Sequence, residues 1–392
     1  DAAAYWNDLN RMMLERAGKN NAAAETARRL VSQSKTKLDA LQQIRDFIAT
    51  SIRGAGPSFT DLPLSELSDA DTTLKDGYGH AADRAILCYA MLKAAGLAPE
   101  FILGSGLPPI SGITNVTATF PLPQTFQNPL VKVSVEGQAY YLNDTDQYAR
   151  LGTTPHDGRL AIVLATQSPE IVHAAKGCED KTETVYSLAL SDGGKTQLAI
   201  SRHYFGTEYN AKRRFFSELP PEERRRYFQE IVSGVTQGAQ PTGDLVTQFD
   251  TYPGIEQFSV QIDNYAVVDG KYLYFDLPFR PSFLPVGSDH RTLPLFISHH
   301  HEHTVRTEIE LPSNYKQIVI APSGTELTVP DGGGVARTVA KNEAGKFVLT
   351  HDFETDPAII DPKDYGQLLD IESALGKKAS RVFLLQGAPI AE

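Results

Sequence analysis

Two cysteines, ten histidines and the carboxylates around them are the side chains through which this 392-residue chain could run nucleophilic, acid–base or metal chemistry. A thiol nucleophile works as its thiolate. The first turn of a helix favours that form, because its unpaired N–H groups and macrodipole lower a thiol pKa from about 8.5 toward about 7 or below. A helix of this kind is expected after Asp76-Gly77-Tyr78-Gly79-His80, running over 81–95 with Gly96 as its stop. Its first residue is Ala81, which has no nucleophile. Cys88 lies seven positions on, about 10 Å further along the axis and beyond the turn where the dipole acts. Flanked by Leu87, Met91 and Leu92, it reads as a small buried hydrophobe. Cys88 and Cys178 together make neither a disulfide framework nor a zinc spacing.

Gly79-His80-Ala81-Ala82-Asp83-Arg84-Ala85-Ile86-Leu87, followed by Tyr89 to Leu92 and by Ala94-Ala95-Gly96-Leu97, is similar to the core motif of the transglutaminase-like (papain-like) superfamily. In that family a cysteine opens the helix and an Asp-Lys or Asp-Arg pair follows. Here the pair is Asp83-Arg84, so the nucleophile position falls on Ala81. The resemblance covers roughly residues 35 to 155. It implies a histidine at the start of one strand and an aspartate at the end of the next, matched by Phe126-Gln127-Asn128-Pro129-Leu130-Val131 and Tyr141-Leu142-Asn143-Asp144-Thr145. Counting from the turn at Gly137 puts Asn128 in the first role and Asn143 in the second, with Pro129 and Asp144 as the adjacent alternatives. Asn128 cannot serve as a general base, because an amide does not titrate in the useful range.

The resemblance therefore implies a degenerate site at Ala81, Asn128 and Asn143, no catalysis as written and no cofactor. A vestigial cleft would be lined by Tyr78, His80, Asp83 and Asp144, with a peptide or glycan as its ligand. Asp83 reads first as a cap or ion-pair partner of the first turn. The alternative is an active cysteine transamidase, amidase or protease whose nucleophile has been replaced at 81. That accounts for one missing residue and leaves Asn128 unexplained. The wider arrangement resembles bacterial multidomain proteins of unknown function, often exported, in which a β-sandwich precedes the core. By that analogy the chain is a trimmed product of a periplasmic or secreted protein.

His299-His300-His301-Glu302-His303 is the other conspicuous run. On one strand His299, His301 and His303 share a face, but same-face neighbours lie roughly 6.6 Å apart, too far to share one ion bonded at about 2.1 Å without a bulge. The flanking apolar residues suggest a hairpin with the histidines at its tip, facing solvent. Gly332-Gly333-Gly334 lacks the Lys-Ser/Thr of a phosphate loop and reads as a turn.

The elements that must position these residues change character along the chain. Residues 2–16 and 22–32 are Ala-rich and charged, and Leu38, Leu41, Ile44, Phe47, Ile48 and Ile52 recur at helical spacing up to Gly54-Ala55-Gly56-Pro57. After Gly96 the period becomes alternating, with strands expected at 101–103, 130–135 and 140–142 around a turn at Glu136-Gly137 and a Gly/Pro-rich loop before them. From 156 onward most segments read as strand, apart from helices near 212–217, 222–232 and 365–375.

The expected fold is α+β: a transglutaminase-like core of N-terminal helices packed on an antiparallel sheet, then mainly β domains. The expected divisions are 1–155, 156–290 with two inserted helices, and 291–392, the last two admitting a single unit. A net charge of -11 argues against a grip on nucleic acid. No apolar run approaches the roughly 20 residues of a membrane-spanning helix.

Overall fold

The computed structural model describes residues 2–143, 146–279, 282–284, 286–343 and 346–387. The architecture is α+β, and the chain divides into two compact units, Asp1–Glu179 and Asp180–Glu392.

The first unit is a helical layer on an antiparallel sheet. Helices α1 (Ala2–Gly18), α2 (Asn21–Leu30) and α3 (Lys37–Ser51) precede a short strand β1 (Arg53–Gly54), helix α4 (Ala70–Asp76), a second short strand β2 (Tyr78–Gly79) and helix α5 (Ala81–Ala94). Thr36 opens α3 with a capping box, accepting from the Asp39 N–H while the Asp39 carboxylate accepts from the Thr36 N–H. The expected period then buries Leu41, Ile44 and Ile48. Each such side chain is worth about 1.5–3 kcal/mol on leaving water. At the far end of α5, Gly96 takes φ +79° and Leu97 N–H reaches back to the Leu92 carbonyl, closing the helix in a conformation that glycine adopts at no steric cost.

Strands β3 (Pro99–Ser105), β4 (Phe126–Val135), β5 (Gln138–Leu142), β6 (Leu160–Val163) and β7 (Ser168–Ile171) form one sheet in the order β5-β4-β3-β6-β7. Glu136 and Gly137, both at positive φ, turn β4 into β5. The sheet's two faces are chemically distinct. Phe101, Leu103, Val131, Val133, Leu142 and Ile162 join the core that contains Ile86, Leu87 and Met91 of α5. Ile102, Leu130, Ala161 and Val163 form a separate cluster on the other face.

Two expectations change here. The loop after β3 contains a helix, α6 (Ser111–Thr119), which its Thr-rich, Gly-containing sequence gave no apolar period to reveal. The boundary falls after Glu179 rather than at 155, because β6 and β7 complete the first sheet: β6 pairs with β3 at Ile102↔Val163 through Gly104↔Ala161.

The second unit is mainly β. Its large sheet contains β8 (Lys181–Leu190), β9 (Thr196–Tyr204), β10 (Ala239–Pro241), β11 (Val246–Gln248) and β12 (Gly254–Ile262). Helices α7 (Gly206–Glu218) and α8 (Pro221–Val235) are inserted after β9. A smaller sheet uses β13 (Val267–Asp269) and β14 (Tyr272–Asp276), and β15 (Leu295–Ile297) follows. The large sheet resumes with β16 (His301–Glu310), and β17 (Gln317–Ile320) returns to the small one. Next come β18 (Thr325–Val329), β19 (Gly334–Glu343), β20 (Lys346–Thr355), β21 (Ala358–Ile360), α9 (Tyr365–Gly376) and β22 (Val382–Gln386).

The large sheet is ordered β10-β12-β9-β8-β16-β20-β19-β18, with β11 also on β12, and the small one β13-β14-β22-β17. Leu198, Ile200, Phe258 and Leu349 of the first pack with Leu273, Phe275, Phe383 and Leu385 of the second, which makes a sandwich core. Residues 156–290 and 291–392 are one unit beyond Glu179, because β8 and β16 pair in parallel from Glu302↔Lys181 to Glu310↔Ala189. The histidines are not a hairpin tip. β15 pairs with β21, and β16 runs centrally between β8 and β20, so 298–300 cross from one sheet to another. Val305, Thr307 and Ile309 are all buried on one face, and the backbone groups along both edges of β16 are taken up by the ladders to β8 and β20.

Candidate functional site

The short parallel bridge between β1 and β2, Arg53↔Tyr78 and Gly54↔Gly79, delivers the chain to the N-terminus of α5. Gly79 has no freedom to be anything larger, since a Cβ there would lie 2.8 Å from the Asp83 Cβ. His80 is the N-cap. Its Nδ1 accepts from the Ala82 N–H at 3.1 Å and the Asp83 N–H at 3.4 Å. An Nδ1 that accepts cannot carry the proton, so the neutral ring bears it on Nε2, 3.4 Å from the Asp83 Oδ1 but not aligned as a hydrogen bond. The buried Asp83 completes the capping box: its Oδ2 accepts from the His80 N–H at 3.4 Å and its Oδ1 from the Ser68 N–H at 2.8 Å. Arg84 is fully buried, with Nη2 at 3.5 Å from the Ile48 carbonyl of α3.

These contacts spend the local donors. Two of the N–H groups that would stabilise an anion at the helix N-terminus point at the His80 ring instead. Ala81 itself is exposed, and Tyr78 is 57% exposed beside it.

Asn143, just past β5, closes the site from the sheet side. Its Nδ2 donates to the Ala81 carbonyl at 2.8 Å and to the Pro129 carbonyl at 2.6 Å. One amide nitrogen thus ties the first residue of α5 to β4. Asp144, the alternative in that position, lies outside the described residues. Nearby, Arg45 of α3 donates to the Asp146 carbonyl at 3.0 Å, which anchors the segment that follows.

Asn128 is not part of this convergence. Register pairs Gly104 with Asn128 and Leu103 with Pro129. By the two-residue alternation, Pro129 shares the α5 face with Val131, while Asn128 shares the opposite face with Leu130. The Asn128 amide turns to the Gly104 carbonyl at 3.3 Å. The residue that faces the helix is therefore the buried Pro129, one position from the first choice. The deciding signal was available in sequence as the alternation of Val131, Val133 and Val135, projected back from the strand rather than counted from the turn. Cys88 is buried in the helix-layer core and Cys178 is buried with Sγ 3.9 Å from the Leu151 carbonyl.

The histidine run does not assemble as His299, His301 and His303. His299 precedes β16 and its Nδ1 lies 3.0 Å from the Ser298 Oγ. His301 and His303 share the inward face with ring centroids 6.5 Å apart, the spacing that an extended strand imposes. Burial, then His301 and Arg202, push the His303 pKa down to about 4, and its Nε2 lies 3.4 Å from the Thr184 Oγ1. On the facing strand His351, 1% exposed, is held down to about 4 by burial, with Nδ1 2.9 Å from the Thr338 Oγ1. His300 differs: burial opposes its charge, but Asp356, Glu302 and Glu354 outweigh that and raise its pKa.

Aromatic residues from the end of β9 through α7 and α8 are partly core, with Tyr204 and Tyr209 buried and Phe215 exposed. Tyr204, Tyr209 and Phe249 cluster with Phe216 and Tyr252, and Tyr227 donates to the Glu256 carboxylate.

No family model matches the chain, and no curated protein matches it. A solved structure described as the "crystal structure of a putative protease from Parabacteroides distasonis ATCC 8503" is similar in fold, with a TM-score of 0.55 at 14% sequence identity. The superposition covers 97% of this chain and 58% of that one, so the chain spans somewhat over half the length of the structure it matches. At that identity the likeness is one of fold.

Proposed function

We propose that the first unit is a transglutaminase-like domain that has given up catalysis and serves, in an exported protein of the periplasm or exterior, as a binding or scaffolding module for a peptide or glycan chain. The observation that carries this reading is the Asn143 amide, whose single Nδ2 is shared between the carbonyls of Ala81 and Pro129. The three positions where thiol, base and orienting acid would meet are joined by a structural hydrogen bond. Pro129 offers no titratable group there, and the nearby His80 ring has its lone pair committed to the α5 cap. The likeness in fold to a protein described as a putative protease supports descent from a hydrolase architecture. It says nothing of activity in this chain.

A second reading, a cysteine transamidase, amidase or protease with its nucleophile replaced at 81, is favoured by the exposure of Ala81 at a helix N-terminus. The two separate on Ala81→Cys. The degenerate-site reading predicts no turnover of glutamine amide or peptide substrates by that variant, and turnover above the wild-type background would establish the second reading instead.

A further inference from the structure

We propose that His300, Glu354 and Asp356 form a binding site for a divalent cation of the zinc or manganese class. Each offers one ligand atom, and the three atoms lie within 4.8 Å of one another on half-buried side chains. The His300 Nδ1 is 2.8 Å from the Asp356 Oδ1, and a further carboxylate, Glu302, stands 3.6 Å from the Nε2. Glu302 and Glu354 are direct partners across the antiparallel β16–β20 ladder, an arrangement in which like charges repel.

The cations nearest in register act on Glu302 and Glu354 only through space, because each is bonded to another carboxylate. Lys181, opposite Glu302 on β8, pairs with Glu183 at 2.8 Å, and Arg337 on β19 pairs with Glu326 at 2.9 Å. Among the described residues the Glu354 carboxylate takes no hydrogen bond and has no Lys or Arg group within 4 Å, although Glu302 is its cross-strand partner and Asp356 lies in the same cluster. The backbone beneath is fixed. The Asp356 N–H donates to the Gly333 carbonyl at 3.1 Å, and a Cβ on Gly334 would lie 2.0 Å from the Glu354 carbonyl oxygen.

One imidazole and two carboxylates suit borderline and hard divalent ions, and three protein ligands leave positions for water. Bonds of about 2.1 Å place neighbouring ligands about 3.4 Å apart in a tetrahedron. Small rotations of these partly exposed side chains reach that spacing. The site uses the one histidine of the run that points away from His301 and His303, which is why spacing along a single strand did not reveal it.

The test titrates the full chain, stripped with a chelator, with zinc alone and manganese alone in a calorimeter, with thermal unfolding as a second readout. The expected result is saturable binding of one equivalent of zinc with a raised melting temperature. Affinity should fall tenfold or more in His300→Ala and in Glu354→Gln/Asp356→Asn, and stay unchanged in His299→Ala and His301→Ala. Circular dichroism checks that each variant is folded, and the single changes Asp356→Asn and Glu354→Gln replace the double one if it is not. No saturable binding by the wild type overturns the proposal. So does binding that persists when the carboxylates are removed, or binding that depends on His301 instead of His300.

Discussion

At the scale of single residues, the identity of residue 143 distinguishes a structural from a chemical site. An amide donates through Nδ2, and both groups it meets, the carbonyls of Ala81 and Pro129, can only accept. A carboxylate in the same place would bring a third acceptor against two others. Asn143→Asp is therefore expected to destabilise the first unit more than Asn143→Ala, which loses the bonds at about 1–3 kcal/mol without adding repulsion. Urea unfolding followed by the fluorescence of Trp6, the sole tryptophan, buried with its ring 5.7 Å from Phe126, reads this unit. An Asp variant as stable as the wild type would show that the amide holds nothing together. His351 carries a second prediction at this scale. Its folded pKa is depressed to about 4, below the ordinary 6.5, so the unfolded chain takes up the proton first as pH falls. Its contribution is intact above pH 6.5 and is lost between there and about 4, at up to about 1.4 kcal/mol per pH unit. His351→Gln, which keeps a partner for Thr338, is expected to flatten the stability profile across that window and leave it unchanged at pH 8. Equal slopes for the two proteins would contradict the assignment.

Among elements, α8 joins the large sheet through apolar packing, an Arg224–Thr247 hydrogen bond and one buried carboxylate. Glu256 of β12 is fully buried, accepts from the Arg202 Nη1 of β9 at 2.7 Å, and accepts from the hydroxyls of Tyr204 at 3.1 Å and of Tyr227 on α8 at 3.0 Å. Burial, then the Glu256 charge, hold both tyrosines protonated well above the ordinary phenol range. Glu256→Ala leaves a guanidinium and two hydroxyls without their acceptor and is expected to cost about 3–5 kcal/mol, measured by denaturant unfolding of the second unit. A loss below about 1 kcal/mol would mean that the cluster is spectator polarity.

The elements also show what local sequence carries. Helix α5 and its glycine stop, α3 and the β4–β5 turn were legible, because period and turn chemistry act within a few residues. Helix α6 was not, since neither cap nor apolar stripe marks it, and the parallel pairing of β8 with β16 was not, since no local signal records which distant strand will cover an edge. At the first helix turn, His80 and Asp83 cap α5 and Asn143 bonds the Ala81 carbonyl, contacts between near neighbours and across one sheet edge, whereas which of Asn128 and Pro129 faces α5 depends on the strand's face, which is set by packing.

For the whole molecule, the division after Glu179 separates a helix-on-sheet unit bearing the Ala81–Asn143 contact from a sandwich bearing the His300, Glu354 and Asp356 cluster. Neither unit has a helix long and apolar enough to cross a membrane among the described residues. Whether the first unit activates a nucleophile at 81 separates a structural from a catalytic α5 N-terminus. The direct measurement is the pH dependence of alkylation of a cysteine placed at 81, with the buried Cys88 and Cys178 of the parent as the unreactive background. With the His80 lone pair accepting from the α5 amides and Pro129 facing the helix, Ala81→Cys is predicted to label with an ordinary midpoint near about 8.5. A midpoint at or below about 7 would mean that the site kept its power to make a thiolate, and would contradict the reading of it as structural.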